Sequence, residues 1–308
     1  SLKKNQENIR QLELDNAEYE NTQIQEEINL LYDIFTREIA AQKVVESLLS
    51  TLPTYLNHVK ENNKVLVQDL ERLSQTYLLP ETDASHVRRI QADLSALETA
   101  ILDVIEDQSE PTQAYSVLEE QLEALQSQLK EIEDEQISVS QRLAQVEKDD
   151  INARQKANVY VNRLHTIKRY MEKRNLPGIP QSFLKIFFTA SHNTEELMSE
   201  LEQELVDVES VNRILEIATN DMEALEEETY NIVQYATLTE QLLQYSNRYR
   251  SFDERIQEAF NESLEIFEKE FDYHASFDKI SQALEVAEPG VTNRFVTSYE
   301  KTRETIRF

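Results

Sequence analysis

Apolar residues recur along residues 118–171 in alternating steps of four and three: Leu118, Leu122, Leu125, Leu129, Ile132, Gln136, Val139, Leu143, Val146, Asp150, Ala153, Ala157, Tyr160, Leu164, Ile167 and Met171. Fourteen of these sixteen are apolar, and the phase never slips. A mean spacing of 3.5 residues holds one stripe on one side of a left-handed supercoil. It predicts a helix of ~80 Å. Gln136 and Asp150 interrupt the stripe, as polar residues do where they set register at some cost in stability. A second seam keeps one phase through Leu197, Leu201, Glu204, Val208, Val211, Leu215, Ala218, Met222, Leu225, Thr229, Ile232, Ala236, Thr239 and Leu243.

Punctuation is sparse. The 308 residues hold two glycines, Gly178 and Gly290, each beside a proline, and six prolines at Pro53, Pro80, Pro111, Pro177, Pro180 and Pro289. These residues end helices, because Pro lacks an N–H and clashes with the preceding turn while Gly costs backbone entropy. Asn193 with Glu196, and Ser251 with Glu254, match the capping-box pattern and predict helix starts. The expected helices run at about 2–50, 54–78, 82–107, 112–175, 182–190, 194–250, 252–272, 275–287 and 291–305, with Pro80 either a kink or an end. Long helices separated by short ones imply triple-helical bundles in which the last helix of one runs on as the first of the next. The reading is an all-α, elongated array of antiparallel three-helix repeats over 1–110, 111–205 and 206–308, the first one incomplete.

Charge bears on how the long helices pair. Residues 148–174 hold eight Lys or Arg against three acids, and residues 195–228 hold thirteen acids against one Arg. An antiparallel hairpin through Pro177-Gly178 would set these stretches side by side; two independently solvated faces are the alternative. The chain as a whole carries a net charge of −28. That disfavours a nucleic-acid partner and an anionic membrane surface, and favours a basic patch on a protein. Cysteine is absent, so no disulfide or thiolate chemistry is available.

Chemistry of the enzymatic kind finds no footing. No Gly-rich loop exists to cradle a phosphate. The five histidines, His58, His86, His165, His192 and His274, lack metal-ligand spacing. Acidic residues are abundant but sit on helical faces with no pocket to shift their pKa values. Neither an enzyme nor a cofactor-binding protein is expected. Asn261-Glu-Ser263 matches a glycosylation sequon in mid-helix and is read as chance.

One segment breaks the acidic background: Gln244, Tyr245, Ser246, Asn247, Arg248, Tyr249 and Arg250, at the end of a predicted long helix. Tyr and Arg are the types that anchor interfaces. Gln244, Asn247 and Arg248 share a face at i, i+3 and i+4. A partner-binding patch is one reading; cations suiting a helix C-terminus is the other. The tail from Asn293 to Phe308 is also basic and aromatic; a second binding element is one reading, and the closing helix of the last bundle is the favoured one.

Residues 244–250, within this long-helix array and with the tail Ile306-Arg307-Phe308, resemble the septation ring formation regulator family, EzrA, of Gram-positive bacteria. The resemblance covers essentially the whole chain. It implies spectrin-like repeats in a curved rod, and a parent protein held at the cytoplasmic face of the bacterial membrane, at the division septum, by an N-terminal helix absent here. It implies binding to the tubulin-like GTPase FtsZ, restraint of its ring assembly, and links to other division and wall-synthesis proteins. The family's localisation patch carries over onto Gln244, Asn247 and Arg248, with Tyr245, Ser246, Tyr249 and Arg250 as neighbours. The alternative is a structural coiled-coil spacer without a polymer partner. The hairpin punctuation favours seams closed within one chain, and so a monomer.

Overall fold

The computed structural model describes residues 2–106 and 114–302. Among them the chain is all-α: α1 (Leu2–Ser74), α2 (Glu81–Glu106), α3 (Tyr115–Lys173), α4 (Gln181–Leu201), α5 (Val208–Ser246), α6 (Glu254–Glu265), α7 (Tyr273–Ala287) and α8 (Val291–Thr302). Two compact units are present, one of residues 1–75 with 79–144, the other of 76–78 with 145–308. The expected repeat boundary near 110 and the end of the expected last helix lie outside the described residues.

In the first unit α1, α2 and the first half of α3 form an up-down-up bundle. Tyr55 donates to Glu133 and Gln136 Nε2 donates to the Val59 carbonyl, so α1 and α3 run parallel. Arg89 bonds Glu135 and Arg142 bonds Asp83, so α2 runs against α3. Pro53 was expected to end a helix, yet it lies inside α1. Leu48, Leu52, Leu56 and Val59 are buried around it. Burying each such side chain contributes ~1.5–3 kcal/mol, which together outweighs the ~3 kcal/mol of an interior proline. Upstream of Ala41, no residue of α1 is buried.

In the second unit the α3 seam continues. Every seam position from Leu118 to Met171, across both units, is buried or half-buried. Asp150 is buried within it and accepts hydrogen bonds from Tyr77 and Arg154, which offsets the cost of burying a carboxylate. Burial beside that carboxylate raises the Tyr77 pKa.

Three expectations fail here. The helix expected to start at Asn193 does not, because α4 passes straight through it. Asn193 instead donates across to Asp221, and Thr194 bonds back to the Ala190 carbonyl. The break comes at residues 202–207, with Asp207 as the cap that accepts from the N–H groups of Glu209 and Ser210. No Pro or Gly marks it. It is held by residues 76–78: the Leu78 N–H donates to the Val206 carbonyl and the Val206 N–H to the Thr76 carbonyl, both at 2.9 Å. Glu204, the one acidic position of the second seam, lies in the break and is exposed.

The second correction concerns strand sense. Because of that break, most of the acidic stretch sits on α5 and runs parallel to α3, not antiparallel. Asp149 accepts from Asn212, Tyr160 meets Thr219 and Arg163 bonds Glu226. Thirdly, Ser251 does not cap the next helix. Asp253 does, accepting from the Arg255 N–H.

The C-terminal half of α5 packs against α6, α7 and α8 around Leu238, Leu242, Leu243, Ile256, Phe277, Ile280, Leu284 and Val291. The expected helix over 252–272 is interrupted. After α6 the chain widens into a π turn, Ile266–Glu270, and stops at Phe271 in the left-handed region, φ 60°. An αL phenylalanine is strained. Its surroundings hold it: the ring lies over Gly178, and Tyr273 donates to the Gly178 carbonyl at 2.7 Å.

Candidate functional site

Helix α5 ends at Ser246, and residues 247–252 continue as a tight turn. The Tyr249 and Arg250 N–H groups both donate to the Ser246 carbonyl. The Ser246 hydroxyl bonds back to the Leu243 carbonyl and is fully buried. The helix end is therefore closed by its own backbone.

This geometry divides residues 244–250 into two faces. Gln244, Asn247 and Arg248 are exposed. Among the described residues neither Gln244 nor Arg248 has a side-chain hydrogen bond or ion pair; Arg248 lies over the Tyr245 ring, 4.6 Å from its centroid. Such a contact contributes ~0.5–1 kcal/mol at an exposed site and leaves the guanidinium edge free to donate. Asn247 accepts one bond from Arg250.

The other face is internal. Tyr245 and Tyr249, one turn apart, both donate to Glu288 Oε2, at 2.6 and 2.7 Å. Arg294 of α8 closes an ion pair on the other carboxylate oxygen. Two phenols and a guanidinium thus converge on one carboxylate in the turn between α7 and α8. The bonds from Tyr245, then Tyr249, with Arg294 adding, hold the Glu288 pKa below the usual carboxylate value. The same bond pushes Tyr249 up to about 12. Rings continue the contact: Tyr245 meets Phe295 edge-on at 5.2 Å, and Tyr249 meets Phe252 at 6.0 Å. Arg250 is occupied too, donating to Gln257 and lying over Phe260 at 3.5 Å.

Within residues 244–250 the sequence puts Gln244, Asn247 and Arg248 on one face, with Tyr245, Ser246, Tyr249 and Arg250 as neighbours. The structure brings Gln244, Asn247 and Arg248 together on the outside and turns Tyr245, Ser246, Tyr249 and Arg250 to support. Glu288 and Phe252 were missed, and Arg294 and Phe295 were noted only as part of the basic, aromatic tail. The one available signal was the i, i+4 spacing of the tyrosines, which puts both on one face of the helix. Nothing local says that a glutamate some forty residues on is their common partner.

The family model for the septation ring formation regulator, EzrA, matches residues 1–299. This chain belongs to the EzrA family. Septation ring formation regulators from Streptococcus pneumoniae strains Hungary19A-6, G54 (serotype 19F) and D39 (serotype 2) are each 83% identical to it over 308 residues. The match covers 100% of this chain and 54% of each relative, so the chain spans about half their length. No solved structure matches it. Among the described residues no helix is long and apolar enough to cross a membrane. Among them too, no three metal-ligating side chains converge.

Proposed function

We propose that this chain is the part of a non-enzymatic division regulator that engages the FtsZ ring and restrains its assembly. It acts at the cytoplasmic face of the bacterial membrane, at the septum, and helps link the ring to other division proteins. Membership of the EzrA family supports the division role. The observation that carries the partner-binding reading is the outward face of Gln244, Asn247 and Arg248. Among the described residues two of these three side chains make no hydrogen bond or ion pair, and all three stand on a helix end closed by its own backbone. Groups that the fold does not use, carried on an ordered helix end, are available to a partner.

The test is co-sedimentation of the chain with GTP-assembled FtsZ, wild type beside Arg248→Ala. The expected outcome is binding or a reduced pellet with wild type and a weaker effect with the variant, at unchanged helicity. If wild type leaves filament mass and bundling unchanged at saturation, direct antagonism fails. The second reading, a structural spacer, is favoured by the unbroken seam of α3, and would then take its place.

A further inference from the structure

Between the start of α4, the middle of α5 and the start of α7, the second unit holds a cleft of about 410 Å³. That lies within the about 300–1,000 Å³ typical of ligand sites. The cleft exists because three elements stop there. The π turn ends at Glu270, α4 begins at Gln181 and α7 at Tyr273, while α5 runs past unbroken. Three carboxylates line it, those of Glu228, Glu270 and Asp272, together with Asn231; among the described residues no Lys or Arg does. Tyr235 and Phe271 add aromatic walls, Phe271 held in its αL conformation with its ring over Gly178. His274, also in the wall, meets Tyr235 edge-on at 4.4 Å, and its ion-pair partner is Asp278, one turn on.

We propose that this cleft receives an arginine side chain from an extended segment of a partner protein. It shares no residue with the 244–250 patch, and Tyr235 lies about 13 Å from Gln244 along α5, so the inference does not rest on that reading. Charge selects a cation. The N-termini of α4 and α7 open on the cleft and bring about half a positive charge each. Two of the carboxylates are partly engaged there: Ser182 donates to Glu228 Oε1, and Asp272 Oδ1 caps α7 by accepting from the Ala275 N–H. Among the described residues Glu270 makes no hydrogen bond or ion pair. Three carboxylates against about one positive charge leave the cleft in excess by about two. The chain's net charge of −28 has the same sign, and draws a cationic partner from a distance. Arginine fits better than lysine. A guanidinium takes a carboxylate with two parallel N–H bonds and stacks on an aromatic ring, whereas an ammonium is a compact point charge. An acidic segment would be repelled, and an apolar one would strip water from the carboxylates without replacing its hydrogen bonds.

The probe is a short capped peptide of Gly and Ser with one central arginine, its citrulline and lysine counterparts serving as controls. Each is titrated to about 10 mM into the whole chain, and the histidine ring signals are read by NMR. Of the five histidines only His274 lines the cleft, and His274→Gln identifies its signal. That signal should move saturably with the arginine peptide, while those of His58, His86, His165 and His192 stay in place. Citrulline keeps the shape and loses the charge, and should not bind; the lysine peptide should bind more weakly. Glu228→Gln with Glu270→Gln should weaken binding about tenfold. Glu216→Gln with Glu258→Gln removes the same charge from exposed sites elsewhere and should change it by less than about twofold. Circular dichroism melts should match wild type for both double variants, since the amide at 228 still accepts from Ser182. No movement at His274, movement of all five signals together, or equal weakening by the two double variants overturns the proposal. Equal binding of the citrulline or lysine peptide overturns it as well. None of these outcomes depends on Arg248, so the cleft and the patch stand or fall separately.

Discussion

Glu288 ties the C-terminal end of α5 to the α7–α8 turn, and its ionisation controls that tie. Its pKa in the fold lies below the usual value. The contribution is therefore complete above the unfolded value of ~4.3 and is lost as pH falls through the lower folded value. Tyr249 has the opposite sign: raised to about 12, its neutral form contributes fully below ~10 and is lost as pH climbs toward the folded value. The tyrosine near-UV circular dichroism should be flat from about pH 5 to about pH 9.5 and change on either side. Glu288→Gln should reduce the signal at neutral pH and remove part of the acid limb; an acid limb identical to wild type would show the hub to be unimportant. Gly178 offers a second residue-scale test. A Cβ there would lie 2.5 Å from three ring atoms of Phe271, an αL residue already under strain. Gly178→Ala should destabilise by about 1–3 kcal/mol, read as a lower denaturation midpoint.

At the scale of elements, α1 keeps Pro53 within 73 residues of helix. The missing N–H and the ring clash remain unfavourable even though burial outweighs them. Pro53→Ala should raise the melting temperature, by up to ~3 kcal/mol of stability. A lower melting temperature would instead mean that a proline-induced bend is needed for the packing of Leu52 and Leu56. The break at 202–207 is the reverse case. Propensity and seam both favour a continuous helix there, and the chain still opens, because residues 76–78 supply backbone partners for Val206 and Asp207 supplies the cap.

At the scale of the whole molecule, the α1 stretch before Ala41 carries exposed Ile24, Ile28, Leu31, Ile34 and Phe35. These contribute nothing to either core. Leu31→Glu with Phe35→Glu should leave the melting curve within about 0.5 kcal/mol of wild type. A clear loss of stability would reveal association through this stretch, with a concentration-dependent mass by light scattering. The seam from Leu118 to Met171 was legible in full because a heptad is a local property, and its polar members Gln136 and Asp150 could be singled out because they violate it. Residues 244–250 stand out in the sequence as a change in composition. The shared face of Gln244, Asn247 and Arg248 was legible too, from helical spacing; the inward turn of the tyrosines was not, since that depends on Glu288 and Arg294 arriving from elsewhere. The sequence alone determined an all-helical chain with long shared seams, through spacing that burial enforces on any helix. Only the tertiary structure decided where α4 ends, that α5 runs parallel to α3, and which side chains of the patch remain free, because each is set by hydrogen bonds between residues distant along the chain.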